Sequence, residues 1–413
     1  MRISSAQIYN SGLNALLDNQ THVNKTQLQL STGRRILTPA DDPAGSAEAA
    51  SLTQAIDSTQ QYQRNADMAR GRLELEESTL GSVSDVLQRV RELAIQANND
   101  SQTSQTRHSI ALELRSLRSQ LIELANTRDA SGEYLFSGFK AKAQAFTETA
   151  SGQVQYNGDQ NTRYLQIGPQ QTVADGEPGS SVFVDIRNGN GTFTTLDNPA
   201  NSGNGIIDPG TVSNPSAYVA ETYTIAFVTN GAGQLAYSVT GSVSGQLIPP
   251  LPANPVTNAP AYVEGAAMAF NGILTSVSGQ PVAGDSFTIS PSVAQDVFTT
   301  VENMAAKLDY YLGTASGMAV LHNTMNRGIS DLDQAMSNVT DARARAGGRL
   351  NTVDGQKNAN DVFLLQVQKS RSELQDLDYA EAASRLNRQM LALDAAQQTF
   401  VKVQGLSLFN YLR

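Results

Sequence analysis

The chain contains no cysteine and no tryptophan, and charged residues make up only 16% of its 413 residues. Without cysteine, disulfides and thiolate metal sites are excluded. The charged fraction lies below the roughly one quarter that is usual for globular proteins, and uncharged polar residues make up the difference. We therefore expect long helices that pack on neighbours instead of being surrounded by water.

Long apolar runs are also missing. The chain has no run of about 18 apolar residues, the length that a helix needs to cross a bilayer. The opening MRISSAQIYN lacks the apolar core of a signal peptide. A cytoplasmic chain would look like this, and so would a chain exported by a route that needs no cleaved signal. The sequence therefore predicts no membrane insertion, and it leaves the localisation open between these two.

Basic surface is scarce as well. Residues 141–300 carry 3 basic and 11 acidic side chains, and they supply −8 of the net charge of −10. Nucleic acid is excluded as a partner, because binding it requires a basic surface that no part of the chain offers. The acidic middle is expected to be a solvated face.

Proline divides the chain into three regions. Twelve of the 14 prolines lie between Pro169 and Pro291. Because proline breaks helix interiors, we expect an α+β fold, with long coiled-coil arms from both termini and a β-rich central insert. A β-hairpin is predicted from residues 154–156 to 163–167 around Asn157-Gly158. Further strands are predicted at residues 182–187, 222–229, 235–239 and 287–290.

Both arms carry apolar residues at alternating spacings of three and four, the pattern of a coiled coil. The first helix has the stripe Ala6, Tyr9, Leu13, Leu16, Gln20, Val23, Gln27 and Leu30. The last helix, expected to run almost to Arg413, has the stripe Tyr379, Ala383, Leu386, Met390, Leu393, Gln397 and Phe400. We interpret the two as partners that pair with each other and with neighbouring subunits. The predicted assembly interface is Tyr9, Leu13, Leu16, Val23, Leu30, Leu386, Met390, Leu393 and Phe400.

An ordered connector is predicted after the first helix, which should stop at Gly33. Its notable residues are Arg34, Arg35, Asp41 and Asp42, with Asp42 as the N-cap of a second helix that begins at Pro43. That helix should extend to about Asn98, with the stripe Ala66, Ala69, Leu73, Glu76, Leu80, Val83, Leu87, Val90, Ala94 and Ala97. A third helix is expected to end before Gly132.

Helix is predicted to return over residues 293–312 and 318–353, with Gly347-Gly348 as a weak point. The expected domains are an assembly helix with its connector (1–44), the two parts of a helical bundle (45–145 and 292–370), a β-rich outer domain (146–291) and a C-terminal assembly helix (371–413).

Catalytic candidates are few. Three histidines stand alone in helical stretches, and two aspartate pairs lack the glycine and distal glutamate of a calcium loop; they are His22, His108, His322, Asp331/Asp333 and Asp376/Asp378. No nucleophile, base and orienting group can be combined into a site. We therefore expect a structural protein with no enzymatic activity, no cofactor and no metal.

Two motifs at opposite ends resemble signatures of the flagellin superfamily. Residues 28–36 (LQLSTGRRI) and 39–45 (PADDPAG) resemble the pattern L-S-S/T-G-x-R-I followed by A-x-D-D-x-A-G. Residues 378–383 (DYAEAA), with Leu386, Gln389 and Leu393, resemble D-Y-A-x-E-A-x-x-L-x-x-x-Q-x-L, although the glutamate comes one place earlier here. Two further runs are similar to segments of hook-associated proteins and favour that branch over filament flagellin: residues 132–139 (GEYLFSGF) and 279–289 (GQPVAGDSFTI).

The resemblance implies a structural subunit between the hook and the filament of the bacterial flagellum. It implies self-assembly as a ring or short helical layer, with the first hook-associated protein and flagellin as partners. It also implies an extracellular location after export without a cleaved signal peptide, and an export chaperone on the C-terminal helix. The alternatives are filament flagellin itself, a secreted helical adhesin or effector, and a cell-wall enzyme in the β insert.

Overall fold

The computed structural model describes residues 5–310 and 313–405. In this part of the chain, helices occupy both ends, and they are α1 (Ser5–Thr32), α2 (Pro43–Ala97), α3 (Ser104–Ala125), α4 (Val297–Asp309), α5 (Ala315–Gln375) and α6 (Tyr379–Gly405). The predicted continuation of the last helix towards Arg413 lies outside the described residues. No described helix has both the length and the apolar character that crossing a bilayer requires.

Strands fill the region between α3 and α4. They are β1 (Phe146–Glu148), β2 (Val154–Tyr156), β3 (Tyr164–Gln166), β4 (Thr172–Ala174), β5 (Ile186–Arg187), β6 (Phe193–Asp197), β7 (Ile206–Ile207), β8 (Thr211–Val212), β9 (Tyr223–Thr229), β10 (Leu235–Gly241), β11 (Gly245–Ile248), β12 (Ala267–Phe270), β13 (Ile273–Ser278), β14 (Ser286–Pro291) and β15 (Ala294–Gln295). The largest sheet is antiparallel in the order β11-β10-β9-β14-β6, and a second has β13 between β12 and β7, with β8 also on β13. The α+β fold class with a β-rich central insert is confirmed.

The predicted hairpin is wrong, although both of its strands exist. β2 pairs with β1, so that Val154 lies opposite Glu148, and β3 pairs with β4 instead. The pairing with β1 places the Phe146 ring, which is fully buried, 5.1 Å from the Tyr156 ring. Period-two alternation indicates a strand but does not say which neighbour it pairs with.

The predicted strand at residues 182–187 is also wrong over most of its length. Ser180–Val184 forms one π-helical turn, and only Ile186–Arg187 pairs, with β15. Val182 and Phe183 are adjacent and both no more than 1% exposed. A strand would point these two side chains to opposite faces, whereas the turn directs both into the core.

Two helix boundaries differ from the prediction. α4 begins at Val297, because Asp296 acts as its N-cap and accepts a hydrogen bond from the Thr299 N–H at 2.7 Å. α5 continues without a break through Gly347-Gly348 to Gln375. Ala346 on the same helix is fully buried, so packing outweighs the low helix propensity of glycine.

The chain forms two compact units. The terminal unit contains the described parts of residues 1–65, 167–170 and 355–413, and the central unit contains residues 66–166 and 171–354. One apolar core of the central unit joins α2, α3, α4 and α5 with the aromatic residues Phe136, Phe146, Phe183 and Phe298. A second core fills the sheets around Phe193, Tyr223, Phe227 and Phe287.

Candidate assembly site

The two terminal helices, α1 and α6, pack against each other in antiparallel directions. The rings of Tyr9 and Phe400 are 5.1 Å apart, and the Thr26 Oγ1 donates a hydrogen bond to the Gln389 Oε1 at 2.7 Å. The buried or partly buried side of α1 carries Gly12, Leu13, Leu16, Asn19, Val23, Thr26, Gln29 and Leu30. The facing side of α6 carries Ala382, Arg385, Leu386, Gln389, Leu393, Ala396 and Phe400. These residues are called the terminal seam below.

Seven of the nine residues predicted for the interface belong to this seam: Leu13, Leu16, Val23, Leu30, Leu386, Leu393 and Phe400. Tyr9 and Met390 are 42% and 47% exposed, although the Tyr9 ring touches Phe400. The structure therefore gathers most of the predicted residues along one contact and leaves two at its margin.

One edge of the seam is shifted by one residue from the predicted stripe. Gly12, Asn19 and Thr26 are covered on α1, one position before Leu13, Gln20 and Gln27. On α6 the same shift selects Ala382, Gln389 and Ala396 over Ala383, Met390 and Gln397. Gln20, Gln27 and Gln397, which belong to the predicted stripes, are exposed in this pair. Spacings of three and four residues fit two stripes that differ by one residue at this edge. Hydrophobicity favours the stripe that contains Leu13 and Met390.

Other polar residues occupy the seam instead. Thr26 and Gln29 are only 2% and 7% exposed. Gln29 donates through Nε2 to the Arg35 carbonyl oxygen at 2.6 Å and accepts from the Arg385 guanidinium at 3.3 Å. Together with the Thr26–Gln389 bond, these contacts satisfy the polar groups in the middle of the pair.

The connector is hydrogen bonded to the segment that links α5 and α6. The Arg35 N–H donates to the Gln375 carbonyl at 2.7 Å, and the Leu377 N–H donates to the Gly33 carbonyl at 2.9 Å. Arg34 forms an antiparallel bridge with Asp376, and the Arg35 guanidinium donates to the Leu374 carbonyl at 2.7 Å. The turn after α1 is thereby joined to the turn that leads from α5 into α6.

Asp41 and Asp42 order the remainder of the connector. Asp41 accepts hydrogen bonds from the N–H groups of Leu37 and Thr38, and it pairs with Lys25 at 2.6 Å. The hydrogen bond from the Lys25 ammonium, with those from the backbone, lowers the pKa of Asp41 to about 2. Asp42 accepts from the Gly45 N–H at 2.9 Å, which confirms its role as N-cap of α2.

Apolar side chains remain exposed on both terminal helices. Leu17 and Leu28 of α1 are 50% and 56% exposed, and Leu391 and Val401 of α6 are 71% and 65% exposed. These four residues, called the open face below, lie outside the seam that the two helices share: Leu17 and Leu28 lie on the side of α1 away from α6, and Leu391 and Val401 lie on uncovered sides of α6. The pair therefore covers only part of the apolar surface that its two helices carry.

The segment 132–138, singled out by its sequence motif, is held by an arginine that the sequence reasoning missed. Arg72 of α2 is 8% exposed and donates to the carboxylate of Asp129 at 2.6 Å and to the Tyr134 carbonyl at 3.1 Å. Arg163 pairs with Asp175 at 2.6 Å and with Glu133 at 3.0 Å. No local signal identifies Arg72, because its partners lie about 60 residues away in the chain.

A buried carboxyl group lies one helical turn further along α2. Glu76, a member of the predicted α2 stripe, is 1% exposed and accepts a hydrogen bond from the Glu177 N–H at 2.9 Å. Burial raises its pKa to about 7. The Glu177 carboxylate is itself bound by Arg345 at 2.9 Å and Arg349 at 2.7 Å, so these residues join α2 to α5 through one loop.

The histidines considered as ligands are dispersed. His22 is exposed on α1. The Nδ1 of His108 lies 2.8 Å from Asp309, and the ring of His322 lies 2.7 Å from Asn98 and 2.8 Å from Asp100. Among the residues that the structure describes, no three His, Asp or Glu side chains are grouped so as to hold a metal ion.

The two aspartate pairs have structural contacts. Asp331 accepts from the Gly189 N–H at 2.6 Å, and Asp333 pairs with Arg91 at 2.7 Å. Asp376 lies in the bridge to the connector, and Asp378 caps α6 by accepting from the Ala380 N–H at 2.9 Å. The contacts of Asp331, Asp376 and Asp378 order a loop or a helix end, and the Asp333–Arg91 pair joins α5 to α2.

Comparison with known proteins agrees with the organisation of the terminal helices. Residues 3–141 match the family model of the bacterial flagellin N-terminal helical region, and residues 329–412 match that of the bacterial flagellin C-terminal helical region. The chain is 24% identical over 410 residues to flagellar hook-associated protein 3 of Escherichia coli, which covers 99% of both proteins. It is 32% identical over 186 residues to the Salmonella typhimurium protein of the same name, covering 45% of this chain and 58% of that protein.

A solved structure gives the same result. The crystal structure of flagellar hook-associated protein 3 from Legionella pneumophila matches with a TM-score of 0.76 and 35% identity, over 78% of this chain and 98% of that one. The chain therefore belongs to the flagellin superfamily and, within it, to the hook-associated protein 3 family of structural subunits of the flagellar junction.

Proposed function

We propose that this junction subunit assembles through its terminal helix pair, and that the open face is where neighbouring subunits bind. The observation that carries the proposal is the exposure of Leu17, Leu28, Leu391 and Val401 on a pair whose own seam is already formed. Apolar residues left in water on a helix pair are stabilised when further helices cover them, at about 25 cal/mol per Å² of apolar surface.

The predicted interface residues then act in two ways. Leu16, Val23, Leu30, Leu386, Leu393 and Phe400 hold α1 on α6, so they fix the surface that is presented. Tyr9 and Met390 lie at the margin of the seam and Leu13 is only partly buried in it, and all three are proposed to touch adjacent subunits. The connector residues Arg34, Arg35, Asp41 and Asp42 hold the C-terminal end of α1 next to the N-terminal end of α6.

Membership of the hook-associated protein 3 family supports assembly into the flagellum with hook and filament proteins. We propose that the immediate partners are the first hook-associated protein on one side and flagellin on the other. The subunits would form a ring or a short helical layer. The division of the chain into five domains stays a prediction.

We further propose that the chain is exported without a cleaved signal peptide and works outside the cell. A chaperone would bind the C-terminal helix before export. The chemical reason lies in the open face, since Leu391 and Val401 are largely exposed before assembly and would promote aggregation of the free subunit.

The test of subunit contact is Leu391→Asp in the full chain. A carboxylate in an apolar contact between subunits is unpaired and costly, so cells should secrete flagellin into the medium and carry few filaments. Asn387→Asp is the matched control, because Asn387 is also exposed on α6 and lies one helical turn away. Normal filament numbers in cells carrying Leu391→Asp would exclude this surface from assembly.

A further inference from the structure

Each end of the terminal seam contains a glycine that faces an aromatic ring. A Cβ added to Gly12 would lie 3.1 Å from Cδ2 of Phe400, which is closer than carbon atoms normally pack. A Cβ added to Gly33, directly after α1, would lie 2.8 Å from the hydroxyl of Tyr379. The Phe400 ring therefore occupies the space that a side chain on Gly12 would need. Tyr379 is 58% exposed and only its hydroxyl approaches Gly33, whose φ of +69° already favours glycine.

The spacing of the two glycines equals the spacing of the two rings. Gly12 and Gly33 lie 21 residues apart, and so do Tyr379 and Phe400. Twenty-one residues are three heptads, so Tyr379 and Phe400 lie on one face of α6, and Gly33, the residue that follows α1, lies three heptads after Gly12. Phe400 faces Gly12 and the Tyr379 hydroxyl approaches Gly33 in one and the same alignment.

We infer that Gly12 determines the register of α1 against α6 by accepting the Phe400 ring, in the same alignment in which the Tyr379 hydroxyl lies against Gly33. The apolar stripe cannot do this alone, since leucines that repeat every seven residues also match after a slip of one heptad, about 10.5 Å along the axis. Such a slip would place Phe400 opposite Asn19 and move Tyr379 away from Gly33.

The polar contacts in the middle of the seam favour the same alignment. Thr26 and Gln389, and likewise Gln29 and Arg385, are hydrogen bonded in the alignment that seats Phe400 against Gly12. A slipped pair would break both bonds, and the Thr26 hydroxyl would keep only its bond to the His22 carbonyl of α1. Polar residues inside a helix pair that lose a hydrogen bond are costly, and this penalty is a common way for coiled coils to specify register.

The register matters for the proposed function, on which this inference rests. The open face consists of Leu17 and Leu28 from α1 and Leu391 and Val401 from α6. A slip of one heptad would displace Leu391 and Val401 along the helix axis relative to Leu17 and Leu28. Neighbouring subunits would then meet a different surface, although each helix would still carry the same residues.

The test uses cysteine pairs, because the chain has no cysteine of its own. In the purified full chain, Thr26→Cys with Gln389→Cys reports the native register, and Thr26→Cys with Ala396→Cys reports a slip of one heptad. Both pairs are treated with a short bismaleimide, and the ratio of native to slipped cross-link is measured. A ratio can be determined even if the helices pair only part of the time.

The decisive variants are Gly12→Phe and the exchange Gly12→Phe/Phe400→Gly, which puts the ring on α1 and the space on α6. Gly12→Phe should lower the ratio by about tenfold, since overpacking a close contact shifts an equilibrium by at least that factor. The exchange should restore most of the ratio, and Gly12→Ala should give a small decrease. An unchanged ratio in Gly12→Phe, or an exchange that is no better than Gly12→Phe, would overturn the inference.

Filament attachment, counted in cells that carry the same variants without cysteines, separates the two hypotheses. If Gly12→Phe lowers the ratio but filaments stay attached, the register inference stands and the helix pair is not the element that drives assembly. If filaments are lost while the ratio is unchanged, the register inference fails and the proposed function stands. Loss of both, with recovery of both in the exchange, supports the two together.

Discussion

One heptad pattern is buried to very different degrees in the two units. The ten stripe residues of α2 in the central unit are no more than 1% exposed, and the six from Leu80 to Ala97 share one core with α3, α4 and α5. In the terminal unit, Leu16, Leu386 and Leu393 are only partly buried, since each terminal helix covers just one side of the other. A heptad pattern thus indicates which face is covered, and the number of partner helices decides how completely.

The largest contrast is expected from the same substitution made in each unit. Leu87→Asp puts a carboxylate into the central core, where Leu87 is 1% exposed, and the purified chain should fail to fold. Leu393→Asp should leave the melting of the central unit unchanged. In cells, however, it should abolish filament attachment, because the carboxylate disrupts the terminal seam. Circular dichroism melts and filament counts measure the two effects.

Either of two outcomes would remove the contrast. A lowered melting temperature of the central unit in Leu393→Asp would mean that the terminal seam is part of the same cooperative core. Normal filaments in cells with Leu393→Asp would mean that the seam is not needed for assembly. Phe400→Asp serves as a second variant, because Phe400 lies further along the same seam.

A smaller difference should appear in limited proteolysis of the purified subunit. A lone helix pair with a partly buried seam is marginal in water, so protease should remove the ends first. The product should be a stable core near residues 45–370. Pre-assembled junctions, in which subunits cover one another, are the control and should be cut more slowly. Equal resistance of the ends and the centre in the free subunit would argue against this difference.

The smallest effect concerns Glu76, in the central unit. Its pKa is raised to about 7 by burial, with a smaller contribution from the Glu177 carboxylate, whereas the Glu177 N–H, Arg349 and Arg72 favour its ionised form. A folded-state pKa above the unfolded value means that the folded state binds the additional proton. The stability that Glu76 contributes is therefore complete below about pH 4.5 and is lost as the pH rises through about 7, with at most about 3 kcal/mol at stake.

Glu76→Gln should remove this loss. The free energy of unfolding of the variant, relative to the native chain, should increase between about pH 5 and 8, because glutamine does not ionise. Urea titrations at several pH values measure it. Glu74→Gln is the matched control, since Glu74 is exposed on the same helix. A constant difference between Glu76→Gln and the native chain across this range would contradict the predicted titration.

The helices could be predicted because periodicity and caps are local signals. The stripe of α2 was correct at all ten positions, including Glu76, and Asp42 and Gly33 marked real helix ends. One edge of the terminal seam lies one residue from the predicted stripe, because glycine, alanine and threonine carry little hydrophobic signal. Gly12 was missed for the same reason, since only the presence of Phe400 across the pair gives its lack of a side chain a meaning.

The β insert was harder to predict because its contacts are between distant residues. β13, which lies between β12 and β7, and β6, whose Phe193 belongs to the second core, were not predicted. β2 and β3 were predicted to pair with each other, which is wrong. The terminal pairing itself was inferred from matching stripes and from the family resemblance. The hydrogen bonds that fix it, such as Gln29 with Arg385, depend on a register that no local pattern specifies.

The connector also has a consequence for the order of folding. Arg35 bonds to Gln375, and Thr26 bonds to a residue 363 positions away in the chain. Closing so long a loop in a disordered chain has a high entropic cost, whereas a folded central unit would already have shortened the loop. The terminal pair is therefore expected to form last, after the central unit has folded and shortened the chain between α1 and α6. A subunit that forms its open face in the final folding step spends the shortest time with that face uncovered.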